Sequence, residues 1–511
     1  MTFIKYFKPT YGLILIAIFF LMACQSKEKN EQTTSNEISP EFISALTNKV
    51  DSTLLRKMEE EHLPGVAVVI VQNGKILYKK GFGVASIKTN KNVDVDSTIF
   101  RIGSVSKALT MFALTKLIDQ GKLSYESPVN DYFNKIENPY NLQDTLKVKH
   151  ILTHTGGLDQ IGINREVREY ELPLKERKKK RPTISAYLED GNIRRIRPAG
   201  QHFTYDTYGS TLAGVIIEKV TGLSYPEAMD LLVFKPLGMN LSSVEVNDEN
   251  IHLLASGHGY KDEKYFTTPY ELYVTLPASS IDASVTDMSR LLQALTSNGS
   301  NEHGQLFSEK MMNNIYSPQF RPHPEFVGMS HGLWEGTVFG TRPDAFNVRT
   351  LGHGGSMIGT TCNLNLTPEL NLGIFVVANR NPESGGGGVS IWKIFNTVFE
   401  LYEIKKAPLF EVTNTPVDEN LSEYAGNYYD GVFCHTCSQE EFEKGAWQRG
   451  NPIEIKMKDS ILIIGGENYH MREKDIFVSG DGKEMLYFGR DKTGKIKFLV
   501  STEDATSYER I

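Results

Sequence analysis

The sequence predicts an α/β fold in which an antiparallel sheet, formed from both ends of the main domain, packs against a mostly helical subdomain. A small all-β domain follows. Three observations support this prediction: β-rich runs surround an early hairpin signal, a second strand pair lies near residue 370, and helical patterns fill most of the sequence between them. An arrangement that joins the two strand-rich ends in one sheet accounts for this order.

Size and charge limit the function classes. The chain has 511 residues, of which 40% are hydrophobic and 23% charged, and its formal net charge is −7. This composition is globular, and the length suits two or three domains. The mildly acidic balance and the lack of a basic stripe with interleaved aromatics argue against a nucleic-acid partner. The one basic block, KERKKKRP (175–182), is interpreted as a solvated face of a loop or insertion.

The first residues indicate export. Lys5 and Lys8 precede the apolar run GLILIAIFFLMA, and the run LMAC ends at Cys24. A basic start and a short apolar segment are typical of a signal peptide. The ending resembles the lipobox of bacterial lipoproteins, which implies an acylated Cys24 after a leader of residues 1–23. We therefore expect an exported protein, lipid-anchored in the bacterial cell envelope at the periplasmic face or the cell surface, with the bilayer as a partner. An uncleaved membrane anchor is the alternative and gives the same export.

Two strand pairs define the sheet of the main domain. The run GVAVVIVQNGKILYKKGFGVAS (65–86) places β-rich segments on both sides of Asn73-Gly74, a strong hairpin signal. The run LNLTPELNLGIFVVAN (364–379) reads as two strands joined by a turn at Pro368-Glu369. After a polar tether at 24–40, we assign residues 41–406 to this domain.

The stretch FRIGSVSKALTMFALTKLIDQGKL (100–123) predicts a buried helix that begins near Ser104 and stops at Gly121. The helix is apolar around most of its circumference, yet it carries Lys107. Residues at i and i+3 share a helix face, so Ser104 and Lys107 can touch.

These two side chains are parts of an activated serine nucleophile. Apolar neighbours desolvate Lys107 and favour its neutral form, which can accept a proton. Ser104 lies at a helix N-terminus, where backbone N–H groups favour developing negative charge. The alternative is an ordinary capping serine beside a lysine that extends to water.

The C-terminal part begins with a linker at 407–420. Residues 421–511 contain short, evenly spaced β-like runs that predict a small β-sandwich or barrel. Within them, Cys434 and Cys437 form CHTC, and in an exported protein this pair is expected to close a local disulfide. A metal site with His435 and a redox-active pair are the alternatives. We expect neither a metal nor another cofactor.

Two more motifs complete an ordered set with Ser104 and Lys107. PAGQHFTYDTYGSTL places Tyr205 ahead of a helix, and LGHGGSMIG places His353-Gly354-Gly355 on a strand. In this order the residues resemble the serine β-lactamase and penicillin-binding-protein superfamily, in particular its class C β-lactamase-like branch with esterases and D-peptidases. The resemblance covers about residues 50 to 400 and implies a β-lactamase/transpeptidase-like fold. Further stretches that carry it are GKILYKKGFGVAS, VKHILTHTGGL, FKPLGM and SSIDASVTDMSRLL.

The resemblance also implies roles. Ser104 would be the nucleophile, Lys107 its partner in proton removal, and Tyr205 the general base and acid. The backbone N–H groups of Ser104 and Ser356 would form the oxyanion hole. The residues that would line the substrate pocket are Thr207, His353, Gly354 and Gly355.

Three features depart from the family pattern. Thr207 stands where the family usually has the Asn of Tyr-x-Asn, and Gly156 stands where serine is common. His353-Gly354-Gly355 replaces the Lys-Thr-Gly of true β-lactamases, as in esterase and peptidase relatives. The pocket therefore lacks a fixed cation and a hydroxyl that would hold a β-lactam carboxylate.

The sequence as a whole predicts an exported serine hydrolase that forms an acyl-enzyme on Ser104. Its substrate would be an ester or a D-amino-acid-type amide or peptide. The molecule could be small or a peptide, and molecules derived from the cell wall are included. A true β-lactamase or D-alanyl-D-alanine carboxypeptidase is one alternative. A surface binding protein on a catalytically decayed hydrolase fold is an alternative from another class.

Overall fold

A computed structural model describes residues 38–162, 166–336, 346–381, 390–412, 420–444, 446–448, 450–502 and 507–510. The predicted leader 1–23, the predicted lipidation site Cys24 and most of the predicted tether 24–40 lie outside the described residues. The chain divides into two units, Met1–Ser44 and Ala45–Ile511, and the second holds nearly all of the secondary structure. Within the described ranges, no helix has the length and apolar character needed to cross a membrane.

The main domain contains short and long strands. They are β1 (Gly65–Gln72), β2 (Lys75–Ser86), β3 (Lys91–Asn92), β4 (Ile99–Arg101), β5 (Glu166–Val167), β6 (Ser243–Val244), β7 (His258–Lys261), β8 (Lys264–Thr267), β9 (Leu272–Tyr273), β10 (Ile281–Ser284), β11 (Met329–Ser330), β12 (Leu333–Glu335), β13 (Leu351–Met357), β14 (Thr360–Thr367) and β15 (Leu372–Ala378).

Its helices lie mostly between the two groups of sheet strands. They are α1 (Pro40–Glu60), α2 (Val105–Asp119), α3 (Val148–Leu152), α4 (Leu174–Lys179), α5 (Ile184–Tyr187), α6 (Thr207–Thr221), α7 (Tyr225–Met229), α8 (Lys235–Leu237), α9 (Leu276–Ser279), α10 (Val285–Leu295), α11 (Glu309–Tyr316) and α12 (Ile394–Leu401).

The main sheet combines strands from both ends of the domain in the order β11-β12-β13-β14-β15-β1-β2-β3. Strand β1 pairs antiparallel with both β15 and β2, so segments about 300 residues apart in sequence are neighbours in the sheet. Asn73 and Gly74 both have positive φ, 49° and 72°, as a primed two-residue hairpin turn requires. The predicted fold class and both strand pairs are confirmed.

Helix α2 is the centre of the helical subdomain and packs against α6 and α9. Twelve of its residues are buried, because the helix is covered on all sides. It ends at Asp119, and Gly121 follows with φ 70°, as the stop signal predicts. The middle of the chain is less helical than expected. It also contains the small sheet β4-β10-β6 and two further sheets of two strands each, β5-β9 and β7-β8.

The interpretation of the basic block as a solvated face is partly wrong. Arg177 is buried and donates to the carbonyls of Val167 and Tyr270. Arg181 forms an ion pair with buried Glu245, which is 64 residues away in sequence. The block is therefore partly internal, and one of its cations pairs with a carboxylate from a distant part of the chain.

The C-terminal part forms a closed antiparallel barrel, one of the two folds predicted for it. Its strands are β16 (Gly426–Asp430), β17 (Ile453–Lys458), β18 (Ile461–Ile464), β19 (Glu467–Glu473), β20 (Ile476–Ser479), β21 (Met485–Arg490), β22 (Ile496–Ser501) and β23 (Ser507–Arg510), with helix α13 (Gln439–Glu443) between β16 and β17. Edge-to-face contacts among Tyr424, Phe477 and Phe488 fill the interior. Closure leaves the sheet without a free edge.

Candidate active site

Ser104 and Lys107 meet at the N-terminus of α2. The Lys107 Nζ lies 3.3 Å from the Ser104 Oγ and donates to the Ala278 carbonyl oxygen at 2.9 Å. Lys107 is only 2% exposed, so its position is fixed by packing. Ser104 is the N-cap residue of the helix, but its side chain makes no capping hydrogen bond. The hydroxyl is therefore not committed to the helix, unlike that of an ordinary capping serine.

Tyr205 faces the same lysine. The Lys107 Nζ lies 4.8 Å from the centroid of the Tyr205 ring. A cation at this position is attracted to the face of the ring. The structure thus brings together the serine, lysine and tyrosine that the sequence motifs singled out, from segments 100 residues apart.

Two glycines allow strand β13 to approach the start of α2. Gly103 has φ 49°, and a β-carbon on it would lie 2.9 Å from the backbone nitrogen of Ser356. A β-carbon on Gly355 would lie 2.1 Å from the Ile102 carbonyl oxygen. Larger residues at either position would push β13 away from Ser104.

The close approach places the backbone nitrogen of Ser356 beside the peptide that leads into Ser104. The Asn381 side chain donates to the Ser356 hydroxyl and to the Met357 carbonyl, which holds the end of β13 in place. Two backbone N–H groups at this site suit the stabilisation of a tetrahedral oxyanion.

His353 lies on β13 next to Tyr205, with 6.0 Å between the ring centroids. Burial, and then the nearby charge of Lys107, lower the pKa of His353 to about 3. The ring is therefore neutral at pH 7. Its Nδ1 lies 2.6 Å from the Gly354 carbonyl oxygen, which assigns the ring proton to Nδ1.

The neutral state of His353 predicts a pH dependence of stability. Between pH 6.5 and about 3, the unfolded state binds a proton that the folded state does not, so the free energy of unfolding falls as the pH falls. The contribution of one such group is about 1.4 kcal/mol per pH unit. His353→Gln should reduce the slope between pH 6 and 4 by about this amount, measured by urea unfolding at several pH values.

The matched control is His252→Gln. His252 is exposed, so this variant shows what the loss of an imidazole that is not buried does to the slope. If the free energy of unfolding has the same slope between pH 6 and 4 in the wild type and in His353→Gln, then His353 takes up a proton in this range in the folded protein as well, which would contradict the prediction.

His154 holds the backbone on both sides of Tyr205. Its carbonyl oxygen accepts from Thr204 N–H at 3.0 Å, and its Nδ1 accepts from Asp206 N–H at 3.2 Å. Burial lowers the pKa of His154 well below its usual range, so Nδ1 stays unprotonated and can accept. The residue has φ 53°, which turns the chain around Tyr205.

Gln160 fixes the residues that follow Tyr205. Its side-chain Nε2 donates to Asp206 Oδ1 at 2.7 Å, and its Oε1 accepts from Thr207 N–H at 3.3 Å. Burial raises the pKa of Asp206 to about 6, against the opposing effects of the Gly209 amide and the Gln160 side chain. Thr207 departs from the Tyr-x-Asn pattern described above. The buried amide of Gln160, from another segment of the chain, accepts the hydrogen bond of the Thr207 N–H.

Sequence reasoning missed the contributions of His154, Gln160 and Trp334. The Trp334 ring packs edge-to-face on Tyr205, with centroids 5.6 Å apart. The motif VKHILTHTGGL (148–158) contains His154 but ends two residues before Gln160. The partners of both residues lie about 50 positions away, so their roles depend on the fold.

Cys434 and Cys437 form a disulfide with a Cα–Cα distance of 5.8 Å, and Cys362 is a buried free cysteine on β14. In the part of the chain that the structure describes, no group of three or more His, Cys, Asp or Glu side chains is arranged to hold a metal ion.

Comparison with known proteins identifies related sequences. The family model described as Beta-lactamase matches residues 50–397. Protein flp of Staphylococcus aureus (strain MRSA252) is 24% identical over 349 residues, which cover 66% of this chain and 63% of flp. Esterase EstB of Burkholderia gladioli is 26% identical over 218 residues, which cover 38% of this chain and 51% of EstB. The chain thus spans less than two thirds of the length of either protein.

A solved structure shares the fold. The octameric penicillin-binding protein homologue from Pyrococcus abyssi superposes with a TM-score of 0.56 and 21% identity, covering 90% of this chain and 99% of that chain. At this identity the likeness concerns the fold alone.

Proposed function

The chain belongs to the beta-lactamase family, a serine hydrolase family with esterase relatives, and from this premise we propose that it hydrolyses an ester or a D-amino-acid-type amide or peptide through an acyl-enzyme on Ser104. One observation carries the proposal: the Lys107 Nζ lies 3.3 Å from the Ser104 Oγ and 4.8 Å from the Tyr205 ring centroid. A capping serine with a lysine that extends to water would show neither contact.

Acylation uses each of these groups. The Ser104 Oγ attacks the substrate carbonyl carbon, and its proton passes to the Tyr205 oxygen with the help of Lys107. The carbonyl oxygen becomes an oxyanion that accepts hydrogen bonds from the N–H groups of Ser104 and Ser356. Each such donor is worth about 3 kcal/mol of transition-state stabilisation. The bond to the alcohol or amine then breaks, and Tyr205 protonates that leaving group.

Deacylation repeats the sequence with water as the nucleophile. Tyr205 takes a proton from the water, the water oxygen bonds to the acyl carbon, and the ester bond to Ser104 breaks. The proton returns to the Ser104 oxygen. Because the same base serves both steps, its alignment affects both rates.

The edge of β13 supports this proposal of a substrate class. His353 is neutral at pH 7, and Gly354 and Gly355 carry no side chain. This edge offers a carboxylate no fixed charge, so we expect it to bind the carboxylate of a β-lactam weakly. An ester or an extended peptide backbone needs no such charge and can lie close to the glycines.

A comparison of kcat/KM for p-nitrophenyl acetate, a D-Ala-D-Ala peptide and nitrocefin tests this choice. We expect nitrocefin to be the poorest of the three. If nitrocefin is best by about tenfold or more (1.4 kcal/mol in transition-state binding), the chain is a true β-lactamase instead. Best turnover of the peptide would favour a D-alanyl-D-alanine carboxypeptidase.

A surface binding protein on a decayed hydrolase fold is the second candidate. Thr207 at the usual asparagine position favours it, because a single hydroxyl cannot offer the two ends of an amide, an NH₂ group that donates and a separate oxygen that accepts. Tight binding of a peptidoglycan fragment without turnover of any ester or amide would support this candidate.

For location, we propose that the protein is exported and lipid-anchored in the cell envelope through Cys24. The support is the basic start, the short apolar run and the LMAC ending of the sequence. Fatty-acid labelling of the protein in a bacterial host tests the anchor, and an unlabelled protein found in the cytoplasm would contradict it.

A further inference from the structure

The CHTC loop (434–437) of the C-terminal barrel binds a buried carboxylate of the main domain, that of Asp159. Asp159 is fully buried. Its Oδ1 accepts from His435 N–H at 2.8 Å, and its Oδ2 accepts from Thr436 N–H at 3.0 Å and from the Thr436 hydroxyl at 2.6 Å. The Sγ of Cys434 lies 3.4 Å from the same Oδ2, a contact and not a hydrogen bond, because a disulfide sulfur carries no proton. The loop thus supplies three hydrogen bonds to one side chain.

The next residue along the chain connects this contact to the site. Gln160 follows Asp159 directly, and its amide binds Asp206 and the Thr207 N–H, the two residues that follow Tyr205. Gln160 is 1% exposed and cannot turn away into solvent. A displacement of Asp159 therefore moves the amide that holds the Tyr205 segment.

The barrel also holds the residues that precede Tyr205. Glu509 on β23 forms an ion pair with Arg197 and accepts a hydrogen bond from His202 Nε2 at 3.3 Å. Burial raises the pKa of Glu509, but the charge of Arg197 and the hydrogen bond from His202 outweigh it and bring the value down to about 2. The His202 ring stacks on Phe498 of β22 with 4.5 Å between centroids.

One backbone contact completes this second attachment. Ser507 N–H on β23 donates to the Phe203 carbonyl at 3.3 Å, two residues before Tyr205. The segment 202–207, which contains Tyr205, and the pair Asp159-Gln160, whose glutamine binds that segment, are thus both attached to the barrel.

We propose that the barrel helps to position Tyr205 in the active site. Asp159, which is bound by the CHTC loop, is the positioning residue. The inference rests on the proposed function, because Tyr205 needs alignment only if it transfers protons. Asp159 itself does not touch the substrate. It acts through Gln160, and the CHTC disulfide keeps the loop in the shape that binds its carboxylate.

The test is Asp159→Asn in the full chain. The asparagine keeps one acceptor oxygen, but its NH₂ would face the N–H of Thr436, so two donors would oppose each other. We expect kcat for p-nitrophenyl acetate, per site titrated with a fluorophosphonate, to fall by about tenfold or more while KM changes by less than about twofold, because misalignment slows the chemistry more than binding. The pH profile of kcat should shift by about half a unit or more, because Tyr205 moves relative to Lys107.

The matched control is Asp491→Asn. Asp491 caps the β21–β22 turn with the same chemistry, since its Oδ1 accepts from Thr493 N–H at 2.8 Å and from the Thr493 hydroxyl at 2.6 Å. This turn joins two strands of the barrel and makes no hydrogen bond to the Tyr205 segment among the described residues. We expect kcat per site and the pH profile to match the wild type.

The outcomes separate the two proposals. If wild-type turnover does not depend on Ser104, the proposed function fails and this inference fails with it. If turnover depends on Ser104 and Asp159→Asn keeps kcat per site within about twofold and the same pH profile, only this inference fails. Should Asp159→Asn not fold, Thr436→Val removes the 2.6 Å hydroxyl bond to Asp159, together with a 3.5 Å bond that the hydroxyl accepts from Arg194. A kcat per site within experimental error of wild type would overturn the inference.

Discussion

Ser104→Ala is expected to lower kcat for any substrate of this protein by about 10⁴-fold or more, because no other group can form the acyl-enzyme. The same change should barely alter stability. The Ser104 side chain makes no capping hydrogen bond, so its removal leaves no helix N–H group without a partner. Steady-state turnover and thermal unfolding of the purified variant measure the two effects.

Ser284→Ala is the matched control, for which we expect the opposite result: lower stability and unchanged turnover. Ser284 is also a helix N-cap, at the start of α10, and its Oγ accepts from Asp287 N–H at 3.0 Å. Loss of such a cap costs about 0.5–2 kcal/mol of stability, but Ser284 has no part in the proposed chemistry. Turnover by Ser104→Ala at even a hundredth of the wild-type rate would argue against a Ser104 acyl-enzyme.

Tyr205→Phe is expected to fold normally and to lower kcat by about 10²-fold or more, the usual contribution of a general acid–base group. The phenyl ring keeps the contacts with Trp334 and His353, so only the hydroxyl is lost. The measurement is the pre-steady-state burst and the steady-state rate with p-nitrophenyl acetate. Both should slow, because the hydroxyl serves acylation and deacylation.

Tyr225→Phe is the control for this change. Its hydroxyl is buried against the Thr110 hydroxyl at 2.7 Å, and Thr110 keeps a second partner in the Pro277 carbonyl oxygen. Turnover should be unaffected. If Tyr205→Phe turns over at nearly the wild-type rate, Lys107 alone removes the proton from Ser104.

The fold and the core of the candidate site follow from local sequence patterns. Asn73-Gly74 predicts the hairpin because only a few residues adopt positive φ readily, and the turn has that geometry. Ser104 and Lys107 are three residues apart on one helix, so their contact follows from helix geometry alone. Tyr205 and His353 required the ordered motif set, because nothing in their own surroundings brings them to the helix.

The remaining features depend on long-range contacts that no local pattern contains. His154 lies in the stretch VKHILTHTGGL and is interpreted from the sequence as structural, and the structure shows that it holds the backbone on both sides of Tyr205, some fifty residues later. Arg181 reads as part of a solvated basic run, yet it pairs with buried Glu245. The barrel was expected from its strands, but its contact with Asp159 through the CHTC loop depends on how the two domains pack.

The central claim is that Ser104 becomes covalently acylated, and trapping the adduct tests it most directly. The full chain is incubated with a fluorophosphonate, its intact mass is measured, and the modified peptide is mapped. We expect one adduct per chain, on the peptide that contains Ser104, and none on Ser104→Ala. An adduct on a different serine, or none in a preparation that still turns over substrate, would contradict the claim.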